Sequence, residues 1–268
     1  MELTQIGFLG FGNMAKAIAR GMLQSGLSPD QIMISAKTDQ TKEEGATNFG
    51  IHTGTNKEVV AKSRVIIVAV KPHVTKEVLE EIVTEWTDDK ILITIAAGIS
   101  MDWIQHQFSS HAKVVRTMPN TPSLVGEGMT AWSVNQFVNE EEVQAIGRLL
   151  RTFGKEVLLD ESLQDEIPAI SGSSPAYVYT LIETMALNGV RSGISYDQAI
   201  TLAAQTVVGA GKMVLETGKH PALLRDEVCT AGGSTIEAVL TLEDEGFRRA
   251  ISRAMQACAE KTKQLGAK

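Results

Sequence analysis

Residues 7–15 of the chain read GFLGFGNMA. Within this stretch the spacing Gly10-x-Gly12-x-x-Ala15 is the dinucleotide fingerprint, with alanine in place of the third glycine. Gly10 permits a tight turn, Gly12 lets the backbone approach a pyrophosphate, and Ala15 allows close packing of a helix on a strand. The motif follows an apolar run and opens an amphipathic pattern, so it predicts a strand, a turn and a helix whose N-terminus binds phosphate. A purely structural glycine turn is the alternative.

The first 160 residues alternate apolar β-type runs with helical patterns. The run 65–70 is wholly apolar and mostly β-branched, which is typical of a strand buried on both faces. Strand, helix and strand at this spacing predict right-handed βαβ units, and hence an α/β Rossmann domain with a doubly wound, mainly parallel sheet. The predicted strands are 5–9, 31–35, 64–70, 90–96, 113–117, 129–134 and 156–159, and the predicted helices are 14–25, 75–85 and 140–152.

Beyond residue 160 the pattern becomes helical, with helices predicted at 177–190, 196–216, 235–242 and 247–265. We therefore expect a nucleotide-binding domain over 1–160 and an all-α domain over 161–268. Gly189, Gly193 and Gly218 have the pattern of helix ends. The segment 199–214 is apolar over much of its circumference, which favours burial on all sides. A domain of this size gives such a helix limited cover, so we expect a subunit partner.

Composition limits the function classes. Hydrophobic residues make up 43% of the chain, and the net charge is −7 without any Lys/Arg-rich stripe, which argues against a nucleic-acid binder. The two cysteines, Cys229 and Cys258, are too few for a disulfide framework and lack metal-ligand spacing, so no metal is expected. No signal peptide and no apolar run of about 18 residues is recognised, so we expect a cytoplasmic protein without a membrane span.

The residues about 20 positions after the fingerprint indicate which nicotinamide cofactor binds. NAD-specific sites carry an acidic residue there, whereas this chain reads Ser35-Ala36-Lys37-Thr38. Two hydroxyls and a cation suit a 2′-phosphate, so we expect NADPH, with NADH as a weaker alternative. A polar loop that only closes the strand is the other interpretation.

Two further strand ends point to the same crevice, because ligands bind outside the carboxyl ends of parallel strands. Lys71-Pro72-His73 follows the run 65–70, and Ala97-Gly98 follows the run 91–96. Lys71 is a candidate cofactor or substrate contact, although Pro72 could simply start a helix. His73 is interpreted as a solvated loop residue, since no metal-ligand cluster surrounds it.

Several motifs together resemble the pyrroline-5-carboxylate reductase family. They are GFLGFGNMA at 7–15, AVKP at 69–72, MPNTP at 118–122, SGSSPAY at 171–177 and DEVCTAGGSTIEAVLTLE at 226–243. The last is the most specific, because it lies outside the generic nucleotide fold. The resemblance implies reduction of 1-pyrroline-5-carboxylate to L-proline with NADPH, the last step of proline biosynthesis. It also implies a homodimer through the C-terminal helices, and larger rings of dimers occur in the family.

The resemblance also implies roles for individual residues. The expected substrate-binding residues are Met118, Asn120, Gly232, Gly233, Ser234 and Thr235, with Thr235 as the catalytic residue. The expected cofactor-binding residues are Gly10, Phe11, Gly12, Asn13, Met14, Ser35, Lys37, Thr38, Asn56, Ala69, Val70, Lys71, Pro72 and Ala97. Three positions depart from the family pattern. Ser174 replaces the usual glycine, Ala231 replaces the usual proline, and Glu227 stands where many relatives carry asparagine, which leaves a cofactor contact at 227 open.

The glycines before Ser234 suggest how a cyclic imine acid would bind. Two glycines ahead of a helical run place unobstructed backbone N–H groups at a helix N-terminus, which suits a carboxylate. Plain N-capping by Ser234 or Thr235 is the competing interpretation. A threonine hydroxyl is too weak an acid to donate its proton unassisted, so we expect Thr235 to bond and orient the ring nitrogen. Water, or an imine that arrives already protonated, then supplies the proton.

Three alternatives compete with this reading. A β-hydroxyacid dehydrogenase would carry a lysine on the helix after Ser171-Gly172, and none occurs over 173–185. A non-catalytic dinucleotide-binding sensor would not need the intact 232–235 segment. A reductase of another cyclic imine acid is harder to dismiss, because one methylene changes binding by only about 1–3 kcal/mol.

Overall fold

The computed structural model describes residues 4–108 and 111–266. Its eight strands form one sheet in the order β3-β2-β1-β4-β5-β6-β7-β8. The strands are β1 (Ile6–Leu9), β2 (Ile32–Ser35), β3 (His52–Thr53), β4 (Val65–Val68), β5 (Ile91–Thr94), β6 (Lys113–Met118), β7 (Gly128–Val134) and β8 (Gly154–Leu158). β1 to β6 run parallel, β7 is antiparallel to β6, and β8 is parallel to β7. This confirms the predicted doubly wound, mainly parallel sheet.

Six α-helices accompany the sheet and five follow it among the described residues. The first set is α1 (Asn13–Gln24), α2 (Asp39–Phe49), α3 (Asn56–Lys62), α4 (Pro72–Ile82), α5 (Met101–Gln105) and α6 (Glu140–Leu150). The second set is α7 (Ser174–Arg191), α8 (Tyr196–Thr217), α9 (Pro221–Val228), α10 (Ser234–Asp244) and α11 (Phe247–Gly266). The sequence did not predict β3, α2, α3, α5 or α9. These elements are short or mostly polar, so they carry little hydrophobic periodicity.

By contacts between residues, the chain forms two compact units. The sheet unit comprises the described residues of 1–172 and 258–266, and the helical unit is Ser173–Ala257. This division falls later in the chain than residue 160, and the predicted boundary stays a prediction.

Two apolar layers enclose the sheet. On one face Phe8, Ile34 and Trp132 belong to a cluster packed by α1 and α6, and on the other Ile66 and Leu79 belong to a cluster packed by α3 and α4. Their burial explains why the apolar runs form strands, since the central strands β1, β4 and β5 are buried on both faces.

The helical unit lacks a core of this kind. Its buried residues, among those the structure describes, are Ala186, Ala199 and Ala203. Large apolar side chains remain exposed on α7 and α8, including Tyr179, Met185, Leu187, Leu202, Val208, Met213 and Leu215. This distribution agrees with the expectation that the apolar helix needs a partner.

The sequence pattern indicated a helix end at Gly189. In the structure Gly189 lies inside α7. A Cβ at Gly189 would lie 3.0 Å from the Cβ of Ala199, so the glycine allows close packing of α7 on α8. Gly193 and Gly218 have positive φ angles and follow the ends of α7 and α8, as predicted.

Candidate functional site

The fingerprint glycines form a tight turn between β1 and α1. Gly10 has φ +89°, and a Cβ there would lie 2.8 Å from Val70 Cγ1 and 2.9 Å from the Ala69 carbonyl oxygen. Its N–H donates to the Ser35 carbonyl oxygen at 3.1 Å. Only glycine fits this conformation and this spacing, because L side chains rarely adopt such a φ. The turn thus brings the ends of β1, β2 and β4 together, where the strand order reverses.

The N-terminus of α1 is open to a ligand. Gly12 is its N-cap residue, and no described side chain caps the helix. A Cβ at Gly12 would meet no described atom within 4 Å. The first N–H groups of α1 therefore face accessible space, which fits a bound pyrophosphate. Ala15 is buried, as the packing argument requires, and Asn13 and Met14 form the first turn of α1.

Phe11 contributes to this loop through its backbone. Its ring is buried and makes edge-to-face contacts with Phe8 at 6.0 Å and Phe49 at 5.4 Å between centroids. The side chain is thus part of the core beneath the loop, where it supports the turn.

Ser35 points inward. It is 3% exposed, and its hydroxyl oxygen lies 2.5 Å from Asn56 Oδ1 and 3.3 Å from the Phe8 carbonyl oxygen. Asn56 Nδ2 in turn donates to Glu81 Oε2 at 2.6 Å. In the described structure the hydroxyl of Ser35 therefore orients Asn56. Sequence reasoning did not find Glu81, because the partners lie far apart in the chain and no local spacing links them.

Lys37 and Thr38 follow at the start of α2. Thr38 is the N-cap residue, and its Oγ1 accepts from Thr41 N at 3.3 Å. Thr38 thus caps α2, and its contact with the cofactor stays a prediction. Lys37 is exposed and has no ion-pair partner among residues 4–108 and 111–266. Its ammonium group is available to an anion at this edge of the sheet.

Residues after β4 and β5 line the same edge. Ala69 N donates to the Leu9 carbonyl oxygen at 2.8 Å, which holds Ala69 and Val70 against the Gly10 turn. Lys71 is the exposed N-cap residue of α4, and Pro72 occupies the first turn. Proline does start a helix here, and His73 is an exposed residue of α4 instead of a loop residue. Ala97 is half-buried after β5.

Met118 and Asn120 lie at the end of β6. A Cβ at Gly172 would lie 2.8 Å from Met118 Cε, so Met118 packs directly against the Ser171-Gly172 segment. Asn120 is buried, and its Oδ1 accepts from Met129 N at 2.8 Å while its Nδ2 donates to the Ser171 carbonyl oxygen at 3.0 Å. These two bonds tie the turn after β6 to β7 and to the Ser171-Gly172 segment. The substrate contact of Asn120 stays a prediction.

The segment 232–235 leads into α10 within the helical unit. Gly232 has φ +69°, and Gly233 is the N-cap residue, close enough to Thr230 that its N–H donates to the Thr230 carbonyl oxygen at 3.0 Å. Ser234 and Thr235 are the first residues of the helix, and no described side chain caps it. N-capping by Ser234 or Thr235 is therefore wrong, because both lie inside the helix. The hydroxyls have no hydrogen-bond partner among the described residues.

Glu227 and Cys229 lie shortly before this segment, and the sequence assigns neither of them a role. Glu227 Oε1 accepts from Lys219 Nζ at 2.7 Å, an exposed ion pair that supports α9. Cys229 is a half-buried free thiol that follows α9. The ion pair between Glu227 and Lys219 forms without a ligand. Within residues 4–108 and 111–266, no helix is long and apolar enough to cross a membrane.

Comparison with known proteins agrees with this arrangement. Residues 161–265 match the family model for pyrroline-5-carboxylate reductase dimerisation, which indicates a homo-oligomer. Residues 5–98 match the model for NADP oxidoreductase, coenzyme F420-dependent.

Relatives match the chain over its whole length. It is 41% identical to the pyrroline-5-carboxylate reductase of Escherichia coli (strain K12), over 97% of this chain and 98% of that protein. It is 38% identical to the Arabidopsis thaliana enzyme, over 98% of this chain and 96% of that protein.

Solved structures show the same architecture. The pyrroline-5-carboxylate reductase of Coxiella burnetii has a TM-score of 0.91 at 31% identity and covers 98% of this chain and 99% of its own. The Plasmodium falciparum pyrroline carboxylate reductase, solved with NADP bound, has a TM-score of 0.89 at 30% identity and covers 99% of each chain. The chain therefore belongs to the pyrroline-5-carboxylate reductase family.

Proposed function

We propose that this chain reduces 1-pyrroline-5-carboxylate to L-proline with NADPH. The carbon of the C=N bond accepts a hydride, the ring nitrogen gains a proton, and NADPH becomes NADP⁺. The observation that carries the proposal is the uncapped start of α10, with free hydroxyls on Ser234 and Thr235, in a chain 41% identical to an enzyme of this name. NADPH supplies the hydride when bound, and the protein supplies binding and orientation.

The sheet unit holds the cofactor in this proposal. The uncapped N-terminus of α1 binds the pyrophosphate, and the Gly10 turn lets the dinucleotide approach the backbone between β1 and β4. Lys37 binds the 2′-phosphate as a free cation, with Thr38 beside it. The remaining proposed cofactor contacts are Ser35, Asn56, Ala69, Val70, Lys71, Pro72 and Ala97.

The helical unit holds the substrate. Backbone N–H groups of Gly232-Gly233-Ser234 bind the carboxylate at the positive end of the α10 dipole. The Thr235 hydroxyl donates a hydrogen bond to the ring nitrogen and so orients the imine, while water or a protonated imine provides the proton. Met118 stays a proposed substrate contact, which we call the Met118 wall.

We further propose a homodimer through the exposed apolar surfaces of α7 and α8. A unit whose described buried residues are three alanines gains little from burial within one chain. A second copy of the chain would cover Leu202, Val208 and Met213. From the sequence, we also propose that such dimers assemble into a ring and that the protein is cytoplasmic.

An oxidation assay tests the function. Purified protein is mixed with NADPH and 1-pyrroline-5-carboxylate, and loss of reduced-nicotinamide absorbance is followed. NADH, and a six-membered cyclic imine acid, are run in parallel. The proposal expects the highest kcat/KM with NADPH and the five-membered ring. Faster reduction of the six-membered substrate would favour a reductase of another cyclic imine acid. NADPH binding without oxidation of either substrate would favour a sensor.

A further inference from the structure

Two asparagines bracket the antiparallel pair β6–β7 at its opposite ends. Asn120 follows β6 and accepts from Met129 N near the start of β7, at 2.8 Å. Asn135 follows β7 and accepts from Val114 N near the start of β6, at 3.2 Å. Each amide also donates to a backbone carbonyl, Asn120 to Ser171 at 3.0 Å and Asn135 to Ala112 at 2.8 Å. Asn135 Nδ2 also donates to Gln105 Oε1 at 3.2 Å, and apart from that bond the two residues make the same kind of clamp in different places.

The two clamps hold different parts of the sheet unit. Asn135 ties the amino end of β6, at the edge of the sheet opposite the Gly10 turn. Asn120 ties the carboxyl end of β6, where Met118 and the cofactor edge lie. Its donor bond fixes the Ser171-Gly172 segment, and that segment packs against Met118 Cε.

The orientation of the Asn120 amide follows from its partners. Met129 N can only donate and the Ser171 carbonyl oxygen can only accept, so Oδ1 must face the first and Nδ2 the second. Asn120 is 7% exposed, so loss of either bond leaves a buried polar group that water cannot easily reach. The amide thus has its acceptor and one donor committed within the protein.

We propose that Asn120 is a positioning residue of the reductase, which holds the Met118 wall at the substrate by clamping β7 and the Ser171-Gly172 segment onto the end of β6. This inference rests on the proposed function. It replaces a direct substrate contact as the reason for asparagine at this position.

Asn120→Asp tests the clamp because it changes one hydrogen bond with almost no change of shape. The carboxylate can still accept from Met129 N, but its second oxygen faces the Ser171 carbonyl oxygen, and two acceptors repel. Protonation restores a donor, and burial next to an acceptor favours the protonated form. The variant should therefore be impaired at neutral pH and recover as the pH falls.

The measurement is the ratio of kcat/KM for Asn120→Asp to that for the wild type, from about pH 5.5 to about pH 8.5. We expect a roughly 10- to 100-fold loss at the alkaline end and recovery to within roughly threefold at the acid end. The NADPH dissociation constant should stay within about twofold, because the side-chain hydrogen bonds of Asn120 go to Met129 and Ser171, neither of which is a proposed cofactor residue.

Two variants separate positioning from general destabilisation. Asn135→Asp makes the same change in the matched clamp, so its melting temperature should fall while its kcat/KM ratio stays near one at every pH where it is folded. Asn120→Ser removes the clamp without adding a titratable group, so its activity should fall with a ratio that does not change with pH. It also covers the case in which Asn120→Asp fails to fold at neutral pH.

A pH-independent ratio for a folded Asn120→Asp, or equal activity losses in Asn120→Asp and Asn135→Asp, would overturn the positioning role. A wild type that oxidises NADPH rapidly alongside either result leaves the proposed function standing. A wild type without turnover on any cyclic imine acid would refute the function and the inference together.

Discussion

The sheet unit and the helical unit bury apolar surface in different ways. In the sheet unit Phe8, Leu79 and Trp132 are at most 2% exposed, whereas α8 in the helical unit leaves Leu202 59% exposed. Burial of one such leucine stabilises a protein by about 1.5–3 kcal/mol, so the helical unit forgoes most of this energy within one chain. The sheet unit therefore buries a large apolar core within one chain, while the helical unit leaves most of its large apolar side chains exposed. The proposed substrate residues 232–235 lie in this helical unit.

The largest effect is expected at the exposed apolar surface of the helical unit. Leu202→Glu would place a charge where the proposed partner covers α8, and an unpaired buried charge costs several kcal/mol. The dimer dissociation constant should rise at least about 100-fold, with loss of activity. Val83→Glu is the matched control, because Val83 is 43% exposed in the sheet unit and lies outside the proposed interface. Sedimentation over a range of concentrations measures the dimer dissociation constant of each variant. Equal dissociation constants would contradict the proposed difference between the two units.

The next effect concerns chemistry in the helical unit. Thr235→Ala should lower kcat/KM for the imine by about 100-fold or more, because the ring nitrogen loses its hydrogen-bond donor. Thr235→Ser keeps the hydroxyl and should recover most of the activity. Thr241→Ala is the control on the same helix, since the Thr241 hydroxyl donates to the Glu237 carbonyl oxygen at 2.9 Å. Steady-state kinetics measures kcat/KM, and a fluorescence titration measures NADPH binding. Undiminished turnover of Thr235→Ala would exclude the proposed hydrogen bond from Thr235 to the ring nitrogen.

In the sheet unit, Gly10→Ala should raise the NADPH dissociation constant roughly 10- to 100-fold. The added Cβ would press on the Ala69 carbonyl oxygen and Val70, so the turn must shift. Gly26→Ala is the control, because Gly26 has φ +102° but a Cβ there meets no described atom within 4 Å. That variant should lose about 1 kcal/mol of stability without losing affinity. Calorimetric titration distinguishes them; equal NADPH affinities of the two variants would show that a Cβ at Gly10 does not disturb the cofactor site.

The smallest effect is expected at Lys37. Lys37→Gln should raise KM for NADPH about tenfold and leave KM for NADH unchanged, because only NADPH carries the 2′-phosphate. Lys42→Gln is the control, since the Lys42 ammonium lies 3.5 Å from Asp39 in an exposed pair and should contribute little. The ratio of kcat/KM for the two cofactors measures the effect. An equal change for NADH would assign Lys37 a role other than phosphate recognition.

Sequence patterns predicted the fold well where periodicity is strong. The run 65–70 and its neighbours gave the parallel strands, because burial on both faces requires continuous apolar sequence. The short strand His52–Thr53 and the polar helix α2 carried no comparable signal. Gly189 was misread as a helix end because composition does not distinguish a glycine needed for a turn from one needed for helix packing.

Site chemistry was predictable only in part. Glycine spacing identified the phosphate turn, and the family motif identified the start of α10. The inward orientation of Ser35 and the clamp of Asn120 on Ser171 depend on partners far apart in the chain. Such contacts arise from strand order, so no local spacing could reveal them.

Transfer of hydride to the imine carbon is the central claim, and isotope labelling tests it most directly. Wild-type protein is incubated with 1-pyrroline-5-carboxylate and NADPH that carries deuterium at both positions of the nicotinamide C4, and the product is examined by mass spectrometry and NMR. We predict one deuterium per molecule of L-proline, located at the former imine carbon, with one NADPH consumed for each proline formed. Proline without the label, or oxidation of NADPH without proline, would contradict the proposed reaction.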